Sequence, residues 1–153
     1  MATRQILKDG DETLRKRARE VTAFDQRLHQ LLDDMAETMY EANGIGLAAN
    51  QIGVLRRIFV VDVNDGEGLR EFINPQILDP RGTQTSCEGC LSVPGVWGDV
   101  DRPETITVTA QDRDGNPFTI EASGLLAICI CHENDHLDGI LFKDKVKGDL
   151  ISQ

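Results

Sequence analysis

Nowhere in the 153 residues do about 18 uncharged apolar residues run together, so the sequence offers no transmembrane helix. The opening stretch from Met1 to Asp9 also lacks the apolar core of a secretory signal, and a cytoplasmic location is expected. Positive charge is in short supply as well. Sixteen Lys and Arg face 26 Asp and Glu, and a formal net charge of -10 argues against sequence-independent binding to DNA or bulk RNA, which depends on cations neutralising phosphates. Internal repeats, low-complexity tracts and a Pro/Ser-rich linker are all missing, so one domain spanning residues 1–153 is expected. Histidine is scarce too, with only His29, His132 and His136 present.

What is present is a globular balance of 40% hydrophobic and 27% charged residues in a chain long enough to bury a sizeable core. Leu28, Leu31, Leu32, Met35 and Met39 recur at helical spacing between Asp25 and Asn43, and Asn43-Gly44 supplies a C-terminal stop. His29 falls on this helix, where a polar-face role is expected. The stretch from Arg57 to Val63 is β-branched and apolar, and Ile106, Val108 and Ala110 alternate with threonines. Asp114-Gly115 marks a turn into Phe118-Thr-Ile120. Ser123 stands where it would cap a last helix from Gly124 to about Leu137, closed by Asp138-Gly139 and followed by a short extended segment. The fold class is therefore α+β, with antiparallel strands around a helix near the C-terminus. Alternating Lys143, Lys145 and Lys147 suit a solvated edge strand.

That helix carries His132-Glu133-Asn134-Asp135-His136, an H-E-x-x-H pattern. At about 100° per residue the two histidines stand about 40° apart and reach one metal, while Glu133 lies about 100° round, beside the ligands but not among them. The same pattern also arises by chance on exposed helices. A catalytic site needs a third protein ligand and an open position for water. No His or Glu follows His136, and Phe142 stands where a longer zinc-protease pattern would carry its third histidine. The third ligand must lie upstream, and Cys87-Glu-Gly-Cys90 is the obvious source, because a thiolate binds divalent metals strongly. Four cysteines without a secretory signal favour free thiols or metal ligands over disulfides. Besides another zinc-type peptide hydrolase built on the same helix, two other readings of these residues stay open. One is a closed four-ligand structural site built from Cys87, Cys90, His132 and His136. The other is a redox pair, Cys87 with Cys90, although no βαβ context surrounds it.

Three motifs occur in order: Gly44-Ile-Gly-Leu-Ala-Ala-Asn-Gln51, Glu88-Gly-Cys-Leu-Ser92 and His132 to His136. Together they resemble the signature of peptide deformylases, and the likeness runs from about Leu14-Arg15 through Asn74-Pro75 and Arg102 to Leu137-Asp-Gly139 and Phe142. This implies a peptide deformylase-like fold and a hydrolase that removes the formyl group from formyl-methionyl nascent peptides. By the same resemblance Cys90, His132 and His136 would hold the metal, and Glu133 would be the acid/base. Gln51 and the backbone N–H of Leu91 would meet the developing oxyanion. Ile45, Leu125, Ile128 and Cys129 would line a methionine pocket, with core packing the main role expected of Leu125. Gly46 would pair with an extended substrate, and Glu88 with Arg102 would brace the cysteine loop.

Ferrous iron is the working metal that the resemblance implies, and the same donors accept zinc, nickel or cobalt. The chain departs from the family pattern in a few places. Cys131 stands where glutamine is common and is expected to be a small buried residue, Cys87 to be a bystander thiol, and Trp97 and Asp99 fill variable positions of the rim loop. Proximity to the ribosome follows from the substrate. Docking there through a long basic C-terminal helix does not, since the sequence stops at Gln153. A monomer is expected.

Overall fold

A computed structural model describes residues 2–152. The first helix, α1 (Gln26–Glu41), begins where the Asp25 side chain accepts a hydrogen bond from the Leu28 N–H, at 3.1 Å. It ends in a Schellman turn. Asn43 adopts φ 58°, its N–H donates to the Tyr40 carbonyl, and the Gly44 N–H donates to that of Met39. Strands β1 (Gly46–Ala48), β2 (Ile58–Val61), β3 (Arg70–Arg81), β6 (Thr105–Gln111) and β7 (Pro117–Ser123) form one antiparallel sheet in the order β1-β2-β3-β6-β7. Strands β4 (Gln84–Cys90), β5 (Val93–Arg102) and β8 (Val146–Ser152) form a second, in the order β4-β5-β8. The second helix, α2 (Gly124–Leu137), leads out of β7.

Alternation along β2 and β3 divides the core. Phe59, Val61 and Phe72 point to the side of α2, while Ile58, Val60 and Ile73 point to Leu28, Leu32, Met35 and Met39 of α1. Both faces of these strands are covered, which is why β2 reads as an unbroken apolar run. Phe59 and Phe72 stack with ring centroids 4.9 Å apart. A third cluster, with Leu14, Val93, Val100, Leu141 and Phe142, underlies the small sheet. Residues 127–133 of α2 are buried without a break, so this is a central helix and not a surface one. No helix among the described residues is long and apolar enough to cross a membrane.

The α+β expectation holds, with both helices and the strands at 58–61, 105–111 and 117–123 close to where periodicity put them. Strands β3, β4 and β5 were not legible. β3 contains Asn74-Pro75 and Asp79-Pro80, a turn-like signature, and the strand absorbs them at two irregularities in its pairing with β6, with Asn74 at φ 53° and Asp79 at φ 51°. The lysine expectation needs correction. Only Lys147 lies in β8, because Lys143 and Lys145 fall in and just after a 3-10 turn, Phe142–Asp144. Ser123 does precede α2, but its hydroxyl lies 3.0 Å from that of Thr105 and makes no cap hydrogen bond.

The end of α2 is a second Schellman turn, with the Gly139 N–H on the His136 carbonyl and the Ile140 N–H on that of Asp135. Gly139 has φ 76°, and a Cβ there would collide with the Arg15 carbonyl. This close approach lets the Ala18 N–H reach the Leu137 carbonyl at 2.8 Å, seating the N-terminal segment against α2. Gly139→Ala is expected to lower stability by about 2 kcal/mol or more, since left-handed strain and a backbone clash act together. A urea midpoint within error of the parent's would refute this.

Candidate metal centre

His132 and His136 lie one turn apart on the buried face of α2, with ring centroids 5.1 Å apart. Cys90 arrives from the other sheet, where the β4–β5 pairing slips between Glu88 and Cys90 and turns the thiol inward. One donor atom from each of Cys90, His132 and His136 lies within 4.8 Å of the others. The Cys90 Sγ to His136 Nε2 separation is 3.4 Å, close to the roughly 3.5 Å expected between tetrahedral ligands of one divalent ion. The donor set fits a thiophilic divalent metal. Cys87 is exposed and outside this cluster, as the bystander reading expects, and Cys131 is buried away from it.

The surroundings prepare these donors. The Ser92 N–H (3.4 Å) and Gln51 Nε2 (3.6 Å) both donate to Cys90 Sγ and fix its position. His132 Nδ1 lies 2.9 Å from Glu88 Oε1. Arg102 grips Glu88 with Nε and Nη2, each at 2.9 Å, and reaches Asp135 with Nη1 at 2.7 Å. Burial works against a charge on Glu88, but the hydrogen bonds from Arg102 and His132 outweigh it and hold the carboxyl down to about 2. An ionised Glu88 only accepts, so His132 must carry its proton on Nδ1 and turn the Nε2 lone pair toward the cluster. Burial also pulls His136 well below the usual histidine range and keeps that imidazole neutral. For His132 burial acts the same way, yet the charge of Glu133 and the hydrogen bonds to Cys90 and Glu88 raise it to about 10.

Glu133 is buried, and burial pushes its carboxyl up to about 7. Its Oε1 has no hydrogen-bond partner among the described residues. A Cβ on Gly46 would sit 2.5 Å from Glu133 Oε2 and 2.8 Å from Cys129 Sγ, so only glycine lets β1 lie this close to the carboxylate. Gln51, in the 3-10 turn Ala49–Ile52, has its amide fixed by Ala48 N–H on Oε1 at 2.9 Å and by Nε2 on Ser92 Oγ at 3.1 Å.

A cleft of about 450 Å³ opens onto this centre. Ile45, Gly46, Gln51, Leu91, Leu125, Ile128, Cys129 and Glu133 all line it, so the residues named from sequence converge on one cavity. Leu125 departs from its expected core role. Its side chain is 51% exposed and faces the cleft. The Glu88–Arg102 pair is present as expected. Its extension to His132 on one side and Asp135 on the other was missed, as was the fully buried Ser92 hydroxyl, whose polar character inside an apolar run was the available signal.

A family model described as Polypeptide deformylase matches residues 3–150. The chain is 61% identical over 146 residues to a peptide deformylase of Caldicellulosiruptor bescii, covering 95% of this chain and 87% of that protein. It is 58% identical to one of Acetivibrio thermocellus, again over 95% of this chain and over 85% of the relative. Among solved structures, the peptide deformylase of Thermotoga maritima superposes with a TM-score of 0.93 at 40% identity, covering 97% of this chain and all of that one. The peptide deformylase of Legionella pneumophila gives 0.92 at 48% identity, over 95% and 87% of the two chains.

Removing the Arg102 side chain would leave the buried Glu88 carboxylate with His132 as its only remaining partner, while Asp135 keeps Lys145. Arg102→Ala is expected to destabilise the fold by about 3 kcal/mol and to speed metal loss to a chelator by about tenfold or more. Unchanged retention of metal in that variant would show that Glu88 orients His132 without help from the arginine.

Proposed function

The chain belongs to the polypeptide deformylase family, and we propose that Cys90, His132 and His136 hold its metal while Glu133 moves the proton in the reaction. It is a metal-dependent hydrolase that removes the N-terminal formyl group from nascent peptides. The observation that carries the assignment of residues is the position of a buried carboxylate with a free oxygen, Glu133, beside a compact Cys/His/His donor set at the mouth of one cleft. Residues 1–153 act as one metal-hydrolase domain.

When bound, a divalent ion supplies Lewis acidity that lowers the pKa of water toward neutrality and polarises a carbonyl. Glu133 accepts the proton that water loses on attacking the formyl carbon. The same carboxyl then delivers that proton to the amine as the C–N bond breaks, leaving formate and a free N-terminus. A carboxyl tuned to about 7 both accepts and releases a proton near neutral pH. Gln51 Nε2, exchanging its long 3.6 Å contact with Cys90 Sγ, and the Leu91 N–H would donate to the formyl oxygen as negative charge develops there. Gly46, on the edge strand β1, has a free side for main-chain hydrogen bonds to an extended peptide. The methionine side chain enters among Ile45, Leu125, Ile128 and Cys129.

Ferrous iron is the metal proposed, with zinc, nickel and cobalt able to occupy the same donors. The enzyme works as a monomer in the cytoplasm, close to the ribosomes that supply its substrate.

Protein purified without oxygen and loaded in turn with iron, nickel, cobalt or zinc is expected to release formate from a short formyl-methionyl peptide. Failure with every metal, despite one ion bound per chain, would favour a closed structural site. Glu133→Ala should keep the metal and lose about 10²- to 10⁴-fold in turnover; retained turnover would remove Glu133 from the proton path. Cys90→Ser should lose metal affinity and Cys87→Ser should not, as read by metal content after dialysis.

A further inference from the structure

Part of the cleft is walled by side chains that neither bind metal nor move a proton. Trp97 of β5 lines that wall. Its indole lies over Gly89 of β4, where a Cβ would run into the six-membered ring, so the bare glycine is what admits the ring. Even so packed, Trp97 remains 37% exposed. The β5–β8 register sets Ile151 directly opposite Trp97, so a second exposed apolar side chain stands on the same face of the sheet. The charged or titratable lining of the cleft is confined to Cys87, Cys129 and the reaction centre's Glu88, Cys90, His132 and Glu133, so no lysine, arginine or aspartate lines it beside Trp97.

An extended peptide places its first and third side chains on one face, about 6.8 Å apart, and its second on the other. With methionine seated beside Ile128 and Cys129, the third side chain returns to the same wall of the cleft. We infer that Trp97 is a specificity determinant that receives the third residue of the formyl-peptide and favours an aromatic or large aliphatic side chain there over a charged one. This rests on the deformylase reading. The wall opposes the long-range field of the chain: a net charge of -10 favours a basic side chain, whereas an uncharged aromatic surface favours an apolar one.

Trp97 is the chain's only tryptophan, so its emission reports on this wall alone. Rates on formyl-Met-Ala-X with metal-loaded enzyme should favour X = Phe or Leu over Ala by about three- to tenfold in kcat/KM, mainly through KM, with Lys and Glu at or below Ala. Trp97→Ala should bring the Phe-to-Ala ratio close to one. Trp97→Phe, which still covers Gly89, should keep most of it, and Trp97→Arg should turn the preference toward Glu. Independently of turnover, titration with unformylated Met-Ala-Phe should shift the emission of Trp97 to the blue, and Met-Ala-Lys should not. Equal rates for every X, a preference for Lys over Phe, or a preference tracking the second residue in formyl-Met-X-Ala would each overturn the inference. So would an emission shift that follows protein concentration instead of peptide, because it would put a second copy of the chain on Trp97. Formate released from none of these peptides would overturn the deformylase reading itself, which the emission titration does not use.

Discussion

The ion pair between Arg102 and Glu88 is the constraint on which the site depends. It joins the two strands of the β4–β5 hairpin, and through Glu88 it fixes His132, while through Asp135 it returns to the same helix one turn further on. Such a buried pair gains little net stability, because desolvating both charges nearly cancels their attraction. Its value here is geometric. An anionic Glu88 admits one tautomer of His132, and that tautomer alone presents Nε2 to the cluster.

The fold serves this arrangement by bringing two sheets against one buried helix. α2 supplies both imidazoles and Glu133 at fixed angular offsets, which a helix sets more tightly than a loop would. The small sheet supplies the thiol at a pairing irregularity, and the 3-10 turn after β1 supplies Gln51. Close approach between these parts requires glycine at Gly46, beside the carboxylate, and at Gly139, where the N-terminal segment crosses the helix end. The N-terminal segment also seats Leu14 under the small sheet, and the Leu7 N–H donates to the Gln51 carbonyl, so it steadies the site without entering it.

Charge inside the centre is unbalanced in a consistent direction. Glu88 is answered by Arg102, whereas Glu133 has no cationic ion-pair partner among the described residues. A divalent ion resolves that imbalance and leaves both histidines neutral, as ligands must be. Glu133 stays off the Cys/His/His cluster because it stands a quarter-turn away, buried and with its Oε1 unpartnered among the described residues.

Much of this centre was legible in the sequence, because its information is local. The i, i+4 spacing of His132 and His136, the offset of Glu133, and the Schellman stops at Asn43-Gly44 and Gly139 follow from helix geometry and backbone sterics alone. The choice of Cys90 over Cys87, the burial of Gln51 and the pocket role of Leu125 depended on how separate segments meet. Resemblance anticipated all three, but core packing was the main role expected of Leu125, and only the tertiary structure exposed it to the cleft. Strands β3 to β5 were hidden for a related reason. Prolines, glycines and polar residues give them weak local preference, and they exist because pairing with neighbouring strands satisfies their backbone. Local periodicity thus determined the helices, the central strands and the ligand spacing. Long-range pairing decided which thiol reaches the histidines, what fixes the tautomer of His132, and which side chains wall the cleft, because those contacts are made between residues that the sequence keeps far apart.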